Sequence, residues 1–153
     1  MNQQNKKIVQ KIVLGGVVIK EGKILILQRH QDEDVYPNMW ELPSGKREPL
    51  EPSEGSLMRE VKEETGLDVK ILMPFSVFDY QIEKLDEIRD STQVNFLVIP
   101  TDDKEVKLSE EHQAFAWIAE NEIDIYNLDD VIKNVIRKAF KVADKFAPRI
   151  AQR

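Results

Sequence analysis

The sequence has no cysteine among its 153 residues, which excludes disulfides, thiolate nucleophiles and cysteine-ligated zinc or iron–sulfur centres. It also lacks any run of the roughly 18 apolar residues that a membrane-spanning helix requires. Basic residues are fewer than acidic ones, 22 against 28, so the formal net charge is −6. This balance disfavours a broad nucleic-acid-binding surface, which needs clustered Lys and Arg. We therefore expect a cytoplasmic protein with no membrane segment.

The chain has the length of about one domain. It contains no internal repeat and no low-complexity linker, so we expect a single domain over residues 1–153. Within it, the polar residues 1–7 are expected to be frayed.

Apolar runs of strand length alternate with polar or glycine-containing segments. They predict strands at residues 9–19, 24–29, 39–42, 69–80, 94–99 and 115–118. The charged residues 81–90 are interpreted as a solvated connection. Helical spacing predicts one helix from Ser53 to Thr65, stopped at Gly66, and a second, long amphipathic helix with Asn127 as its N-cap. The sum is an α/β domain in which two helices cover a mixed sheet.

The first predicted helix carries an acidic cluster. On an ideal helix Glu60, Glu63 and Glu64 share a sector of about 100°, and Arg59 lies one turn before Glu63 and can bridge to it. Each pair of like charges at this spacing destabilises the helix by a few tenths of a kcal/mol. A bound divalent cation would make the same arrangement stabilising. Oxygen ligands without nearby Cys or His favour Mg²⁺ or Mn²⁺ over zinc. Taken alone, such a cluster is more typical of a solvated helix face.

The complete spacing changes that interpretation. Gly45 is followed after five residues by Glu51, and after seven more by the run Arg59-Glu60-Val61-Lys62-Glu63-Glu64-Thr65-Gly66-Leu67. In chains of this composition, such a pattern would occur by chance on the order of once in ten million chains. The segment at residues 45–67 resembles the Nudix box, Gly-x5-Glu-x7-Arg-Glu-U-x-Glu-Glu-x-Gly-U with U aliphatic, at every defined position.

The resemblance to the Nudix hydrolases implies an α/β/α sandwich with a mixed sheet between the helices. It also implies a set of metal ligands, which are Gly45 through its carbonyl, Glu60, Glu63 and Glu64. Arg59 would orient these glutamates. The catalytic residues that the resemblance implies are Arg59, Glu60, Glu63 and Glu111. Glu51 would support the loop and the outer coordination shell on the substrate side, and Arg29 resembles the family's phosphate-contacting arginine, with a surface arginine as the alternative.

The general base is left open between Glu60 and Glu111. Glu111 lies in Leu108-Ser109-Glu110-Glu111-His112, where relatives of the MutT type often have a further acidic ligand; an exposed helix start is the alternative. For His30 and His112 we expect ordinary solvated or capping roles. Phe75, Phe78 and Tyr80 could stack on a base, and at least two of them are expected in the core.

The implied activity is Mg²⁺-dependent hydrolysis of a phosphoanhydride, with Mn²⁺ as a substitute cofactor. The segments Gln28-Arg29-His30 and Trp40-Glu41-Leu42-Pro43-Ser44-Gly45 look most like the MutT branch, which cuts nucleoside triphosphates to monophosphate and pyrophosphate. Hydrolysis of ADP-ribose or another nucleotide sugar is the alternative, and a non-catalytic nucleotide sensor is a third. We expect a small-molecule nucleotide as partner rather than nucleic acid, and leave a homodimer open.

Overall fold

The computed structural model of the protein describes residues 5–146. These residues form strands β1 (Lys7–Lys20), β2 (Lys23–Arg29), β3 (Trp40–Glu41), β4 (Ser44–Lys46), β5 (Val69–Glu83), β6 (Glu87–Pro100) and β7 (His112–Ile118). The helices are α1 (Ser53–Thr65), α2 (Asp130–Asp144) and a 3₁₀ helix at Glu120–Ile125. Within the described range, neither α-helix is both long and apolar enough to cross a membrane.

The strands form one mixed sheet in the order β3-β2-β1-β6-β5, with β4 added to β1 and β7 added to β2. The long strands β1 and β6 are parallel, in register from Lys7 opposite Glu87 to Val18 opposite Val98. The other pairings are antiparallel. The predicted mixed sheet is therefore confirmed.

Both faces of this sheet are covered. In β1, Val17 and Ile19 belong to the core cluster shared with α2, whereas Leu14 and Val18 belong to the cluster shared with α1. Successive strand residues point to opposite faces, so a strand covered on both sides has an uninterrupted apolar run. This explains the continuous apolar stretches in the sequence and confirms the α/β/α arrangement.

Helix α1 has the bounds that its sequence predicts. It is stopped by Gly66, whose φ of 74° is left-handed and whose N–H donates to the carbonyl of Lys62 at 2.8 Å. Glycine adopts this conformation without a steric cost. Leu57 and Val61 are fully buried against the sheet, which fixes the rotation of the helix and therefore the direction of its acidic face.

The expected connection at residues 81–90 is wrong. Strand β5 continues to Glu83 and β6 begins at Glu87, with Gln81 opposite Asp90 in a long hairpin. Strand pairing satisfies the backbone whatever the side chains are, and here charged side chains alternate at the surface. Lys7 belongs to β1 rather than to a frayed end; residues 1–4 of that expectation lie outside the described residues.

The N-cap of α2 is Asp129, not Asn127. The Asp129 Oδ1 atom accepts a hydrogen bond from the Val131 N–H at 2.8 Å, which satisfies one of the helix's free donors. The carbonyl of Asn127 instead accepts from the Trp40 N–H at 3.0 Å and so anchors β3. Strand β4 and the 3₁₀ helix were not expected from the sequence.

We predict that Leu57→Ala lowers the free energy of unfolding by about 2–5 kcal/mol, because it leaves a cavity under α1. Its neighbour Met58 is 41% exposed and Leu57 is 0% exposed, so Met58→Ala is a matched control with an expected effect of about 0.5 kcal/mol or less. Urea unfolding of the two variants measures the difference. Equal losses would mean that α1 is not held by Leu57.

Candidate active site

Strand β4 brings the first residue of the motif against α1. Gly45 pairs with Leu14 of β1, and the carboxylate of Glu60 lies so close to its Cα that a Cβ at this position would overlap both carboxylate oxygens. A residue with a side chain would have to displace Glu60. Because these atoms are the flexible end of the Glu60 side chain, glycine at this position is what allows the carboxylate to lie against the backbone of the loop.

Arg59 joins the loop to the helix. Its guanidinium binds Glu51 through two hydrogen bonds, Nε to Oε2 at 2.8 Å and Nη2 to Oε1 at 2.9 Å. Nη1 contacts Glu60 at 3.0 Å and Glu63 at 3.3 Å. The hydrogen bonds from Arg59 lower the pKa of Glu51 to about 2, so Glu51 is a carboxylate at neutral pH. The structure thus brings Glu51 and two of the three helix glutamates around one guanidinium.

Glu64 is placed differently from its neighbours. Its side chain is buried, with 6% of the residue exposed, and Oε2 accepts a hydrogen bond from the Ser44 N–H at 3.4 Å. Burial raises the pKa of Glu64 to about 9, with further contributions from the charges of Glu41, Glu111 and Glu60. Burial also raises the pKa of Glu60, against the opposing effect of Arg59. Two carboxylates of the motif are therefore destabilised in their charged forms.

These groups fit a hard divalent cation by their chemistry. The donors are carboxylate and carbonyl oxygens, which Mg²⁺ and Mn²⁺ prefer, and a cation between repelling carboxylates would stabilise their charged forms. Among residues 5–146, no three His, Asp or Glu side chains already converge as a closed metal-binding group. Glu60 and Glu63 are paired with Arg59 instead.

Glu111 lies in the turn before β7, so the expected alternative of a helix start is wrong. Its charge acts on both Glu60 and Glu64. The fold therefore brings a carboxylate from a distant part of the chain towards the acidic face of α1, and its role as a further ligand or general base stays a prediction.

Arg29 ends β2 and is held by three acceptors. Nε donates to the carbonyl of Val35 at 2.8 Å, and the terminal nitrogens contact Glu41 at 3.3 Å and Glu33 at 3.4 Å. Arg29 also lines a cleft described below. It is therefore a positioned cation at the edge of a concave surface.

Two residues of this region were not expected in the site: Glu41, which has no assigned role in the sequence analysis, and His112, for which a solvated or capping role is expected. The His112 side chain is 1% exposed, and its Nε2 atom lies 2.9 Å from Oε2 of Glu41. The solvated or capping role expected for His112 is wrong, because the pairing of β7 with β2 buries the ring. His30 does have a capping contact, since its Nδ1 accepts from the Asp32 N–H at 3.1 Å. In the sequence, Glu41 appears only within the segment Trp40-Glu41-Leu42-Pro43-Ser44-Gly45 that resembles the MutT branch.

A cleft of about 330 Å³ opens beside these groups. Its lining includes the aromatic side chains of Trp40, Phe78 and Tyr80 together with Glu41 and Ser44. Phe78 and Tyr80 lie 5.8 Å apart between ring centroids. A cleft of this size with a few polar groups suits a small ligand.

Phe75 is buried in the core, 9% exposed. Phe78 is partly buried against the same core cluster. The expectation that at least two of the three aromatic residues belong to the core is therefore met by Phe75 and, in part, by Phe78.

Comparison with known proteins agrees with this site. The family model of the NUDIX domain matches residues 10–139, and the chain belongs to the Nudix family. Nucleoside triphosphatase NudI of Escherichia coli O17:K52:H18 is 27% identical over 139 residues, which cover 84% of this chain and 95% of NudI. Together with the intact box, this places the protein among the Nudix hydrolases, which hydrolyse phosphoanhydride bonds.

Solved structures share the fold. The MutT protein of Methanosarcina mazei Go1 superimposes with a TM-score of 0.66 at 24% identity, covering 92% of this chain and 95% of that protein. The Escherichia coli ORF135 protein gives a TM-score of 0.62 at 25% identity, covering 93% and 94%. The Nudix-type sandwich expected from the sequence is confirmed.

We predict that the metal-free protein becomes less stable as the pH rises from about 6 to about 9. The pKa of Glu64 is about 9 when folded and about 4.3 when unfolded, so in this window the folded state binds more protons and stability falls with pH. Thermal unfolding in EDTA should show a falling Tm, and Glu64→Gln should flatten it. Glu105→Gln, at an exposed position, is the control. An unchanged pH slope in Glu64→Gln would contradict the assignment.

Proposed function

We propose that the protein is a Mg²⁺-dependent nucleoside triphosphate pyrophosphohydrolase that releases nucleoside monophosphate and pyrophosphate. The observation that carries this proposal is the position of the acidic face of α1 beside an aromatic cleft. Ser44 belongs to both, because it lines the cleft and donates its N–H to Glu64. A nucleotide with its base in the cleft would therefore have its phosphates near the carboxylates.

The residues that would hold the ion are Gly45, through its carbonyl, with Glu60, Glu63 and Glu64. When bound, Mg²⁺ or Mn²⁺ would reduce the repulsion between the polyanionic substrate and the carboxylates of the site, and would polarise phosphoryl oxygens and water. Arg59 fixes Glu51 and keeps the loop docked on α1.

In this reaction water is the nucleophile, and the protein itself has to supply a base that accepts the proton of the water. The water oxygen forms a bond to phosphorus, the bridging phosphorus–oxygen bond breaks with pyrophosphate as leaving group, and the water's proton passes to a carboxylate of Glu60 or Glu111. Positioning and electrostatic stabilisation supply most of the acceleration in such reactions. Arg29 lines the cleft, and in this proposal it would contact a phosphate of the substrate.

Triphosphates are preferred over other substrates because the relative NudI is named a nucleoside triphosphatase. ADP-ribose or another nucleotide sugar is the alternative, since the box specifies the phosphoanhydride and not the group beyond it. A sensor without activity is disfavoured, because all three helix glutamates of the box are present.

The test is a panel of nucleoside triphosphates, ADP-ribose and nucleotide sugars, assayed with Mg²⁺ at alkaline pH with the products identified. We predict monophosphate and pyrophosphate from at least one triphosphate. Glu63→Gln should lower kcat by about 100-fold or more, because it removes a charged ligand from the site. Glu54→Gln, in the exposed first turn of the same helix, is the control.

Two outcomes would contradict this proposal. Faster turnover of a nucleotide sugar than of every triphosphate would overturn the substrate class. Full activity of Glu63→Gln would remove that residue from the site.

We predict that Gly45→Ala abolishes the rise in Tm that Mg²⁺ should cause, because a Cβ would displace Glu60. Gly55→Ala is the matched control: a Cβ there meets nothing within 4 Å, and it should raise stability by about 0.5–1 kcal/mol with the metal response intact. Thermal unfolding with and without Mg²⁺ measures both. A normal Mg²⁺ response in Gly45→Ala would contradict the role of this contact.

A further inference from the structure

Strand β6 carries a short series of buried polar side chains on one face of the sheet. Ser91, Gln93 and Asn95 are alternate residues of the strand, and all three are buried. Alternate residues point to the same face, and the next two in the series, Leu97 and Ile99, belong to the apolar core cluster shared with α2. This face of the strand therefore changes from apolar to polar along β6, and Gln93 of the polar part lines the cleft.

The polar side chains form a hydrogen-bonded chain across two strands. Gln93 Nε2 donates to Asn95 Oδ1 at 2.9 Å, and Asn95 Nδ2 donates to Oγ of Ser76, opposite it in β5, at 3.0 Å. On the other side, Asn95 lies opposite Gly15 of β1, which has no Cβ in the space that the two amide ends occupy. The chain holds the Gln93 amide by its nitrogen and so fixes its orientation.

The carbonyl end of the Gln93 amide has no partner in the protein. Within residues 5–146 no group donates a hydrogen bond to its Oε1 atom, whereas both oxygens of Glu41 in the same cleft are engaged, by Arg29 and His112. Phe78 lies directly opposite Gln93 in β5 and also lines the cleft. A largely buried amide oxygen without a donor is costly, so the floor of the cleft offers a fixed acceptor beside an aromatic ring.

An oxygen acceptor at this place selects a ligand that presents an N–H donor. The exocyclic amino groups of adenine, cytosine and guanine are such donors, whereas a keto oxygen at the same ring position is itself an acceptor. A keto oxygen against Gln93 Oε1 would leave both atoms unpaired, and a site built to bind a donor rejects an analogue that lacks it.

We propose that Gln93, held by Asn95 and Ser76, accepts a hydrogen bond from the exocyclic amino group of the nucleobase. The cleft thereby selects nucleotides with an amino-substituted base over counterparts that lack the amino group. This inference rests on the proposed function, which puts the base in the cleft, and narrows the substrate to a class of bases.

The first test is binding without catalysis. Nucleoside monophosphates are titrated by calorimetry into the metal-free protein in EDTA, in pairs that differ at the amino position: CMP with UMP, AMP with IMP, and GMP with IMP. The wild type should bind the amino member of at least one pair about tenfold more tightly. Gln93→Met keeps the length of the side chain without the amide, and should reduce that preference to about twofold by weakening the amino member alone.

The control for this substitution is Gln10→Met, at an exposed position on the other face of β1, which should bind like the wild type. Circular dichroism checks that both variants are folded. Equal binding of both members of every pair by the wild type would overturn the inference without any variant, as would no binding of any monophosphate at millimolar concentration. A Gln93→Met protein that binds both members equally more weakly, or that keeps the preference, would also overturn it.

Turnover distinguishes this inference from the proposed function. With Mg²⁺, the wild type should have a lower KM for the triphosphate of the amino base than for its counterpart, and Gln93→Met should raise that KM with kcat nearly unchanged. If triphosphates are hydrolysed with no such preference, the role of Gln93 fails and the proposed function stands. If the monophosphates show the preference but no triphosphate is hydrolysed, the proposed function fails and the selection by Gln93 stands.

Discussion

The burial of carboxylates, together with the repulsion between them, is the constraint around which this site is arranged. Glu64 is nearly inaccessible to water and shares its field with Glu41, Glu60 and Glu111, so the charged forms are stabilised only by what the fold or a ligand supplies. The packing of Leu57 and Val61 under α1 holds the helix in place against this repulsion. Arg59 offsets part of it through Glu60 and Glu63. A divalent cation would offset the rest.

The two faces of the sheet carry different parts of the candidate site. On the α1 face lies the carboxylate of Glu60, and on the α2 face lies the aromatic cleft. The short strand β4 is the point where the faces meet, because Gly45 contacts Glu60 while Ser44 lines the cleft.

Local patterns in the sequence were enough to predict α1, because the helical spacing and Gly66 lie within one short segment. The metal ligands proposed from the same segment, residues 45–67, stay a prediction. Strand β4 has three residues and no side-chain signal, since it exists through its pairing with β1. The turn of the hairpin at residues 81–90 is exposed and charged, so its polarity indicated a loop. The contact of Glu41 with His112 joins residues 71 positions apart, and no spacing rule reveals it. The cytoplasmic location and the homodimer stay predictions.

The most direct measurement of the central claim is the anomalous scattering of Mn²⁺ in crystals of the protein grown with that ion. The account predicts a peak whose ligands include the carbonyl of Gly45 and carboxylate oxygens from α1, at about 2.1–2.2 Å as for a hard cation with oxygen donors. Glu60 would then have left the guanidinium of Arg59. Carboxylates that stay on Arg59, with no peak beside Gly45 at millimolar Mn²⁺, would contradict it.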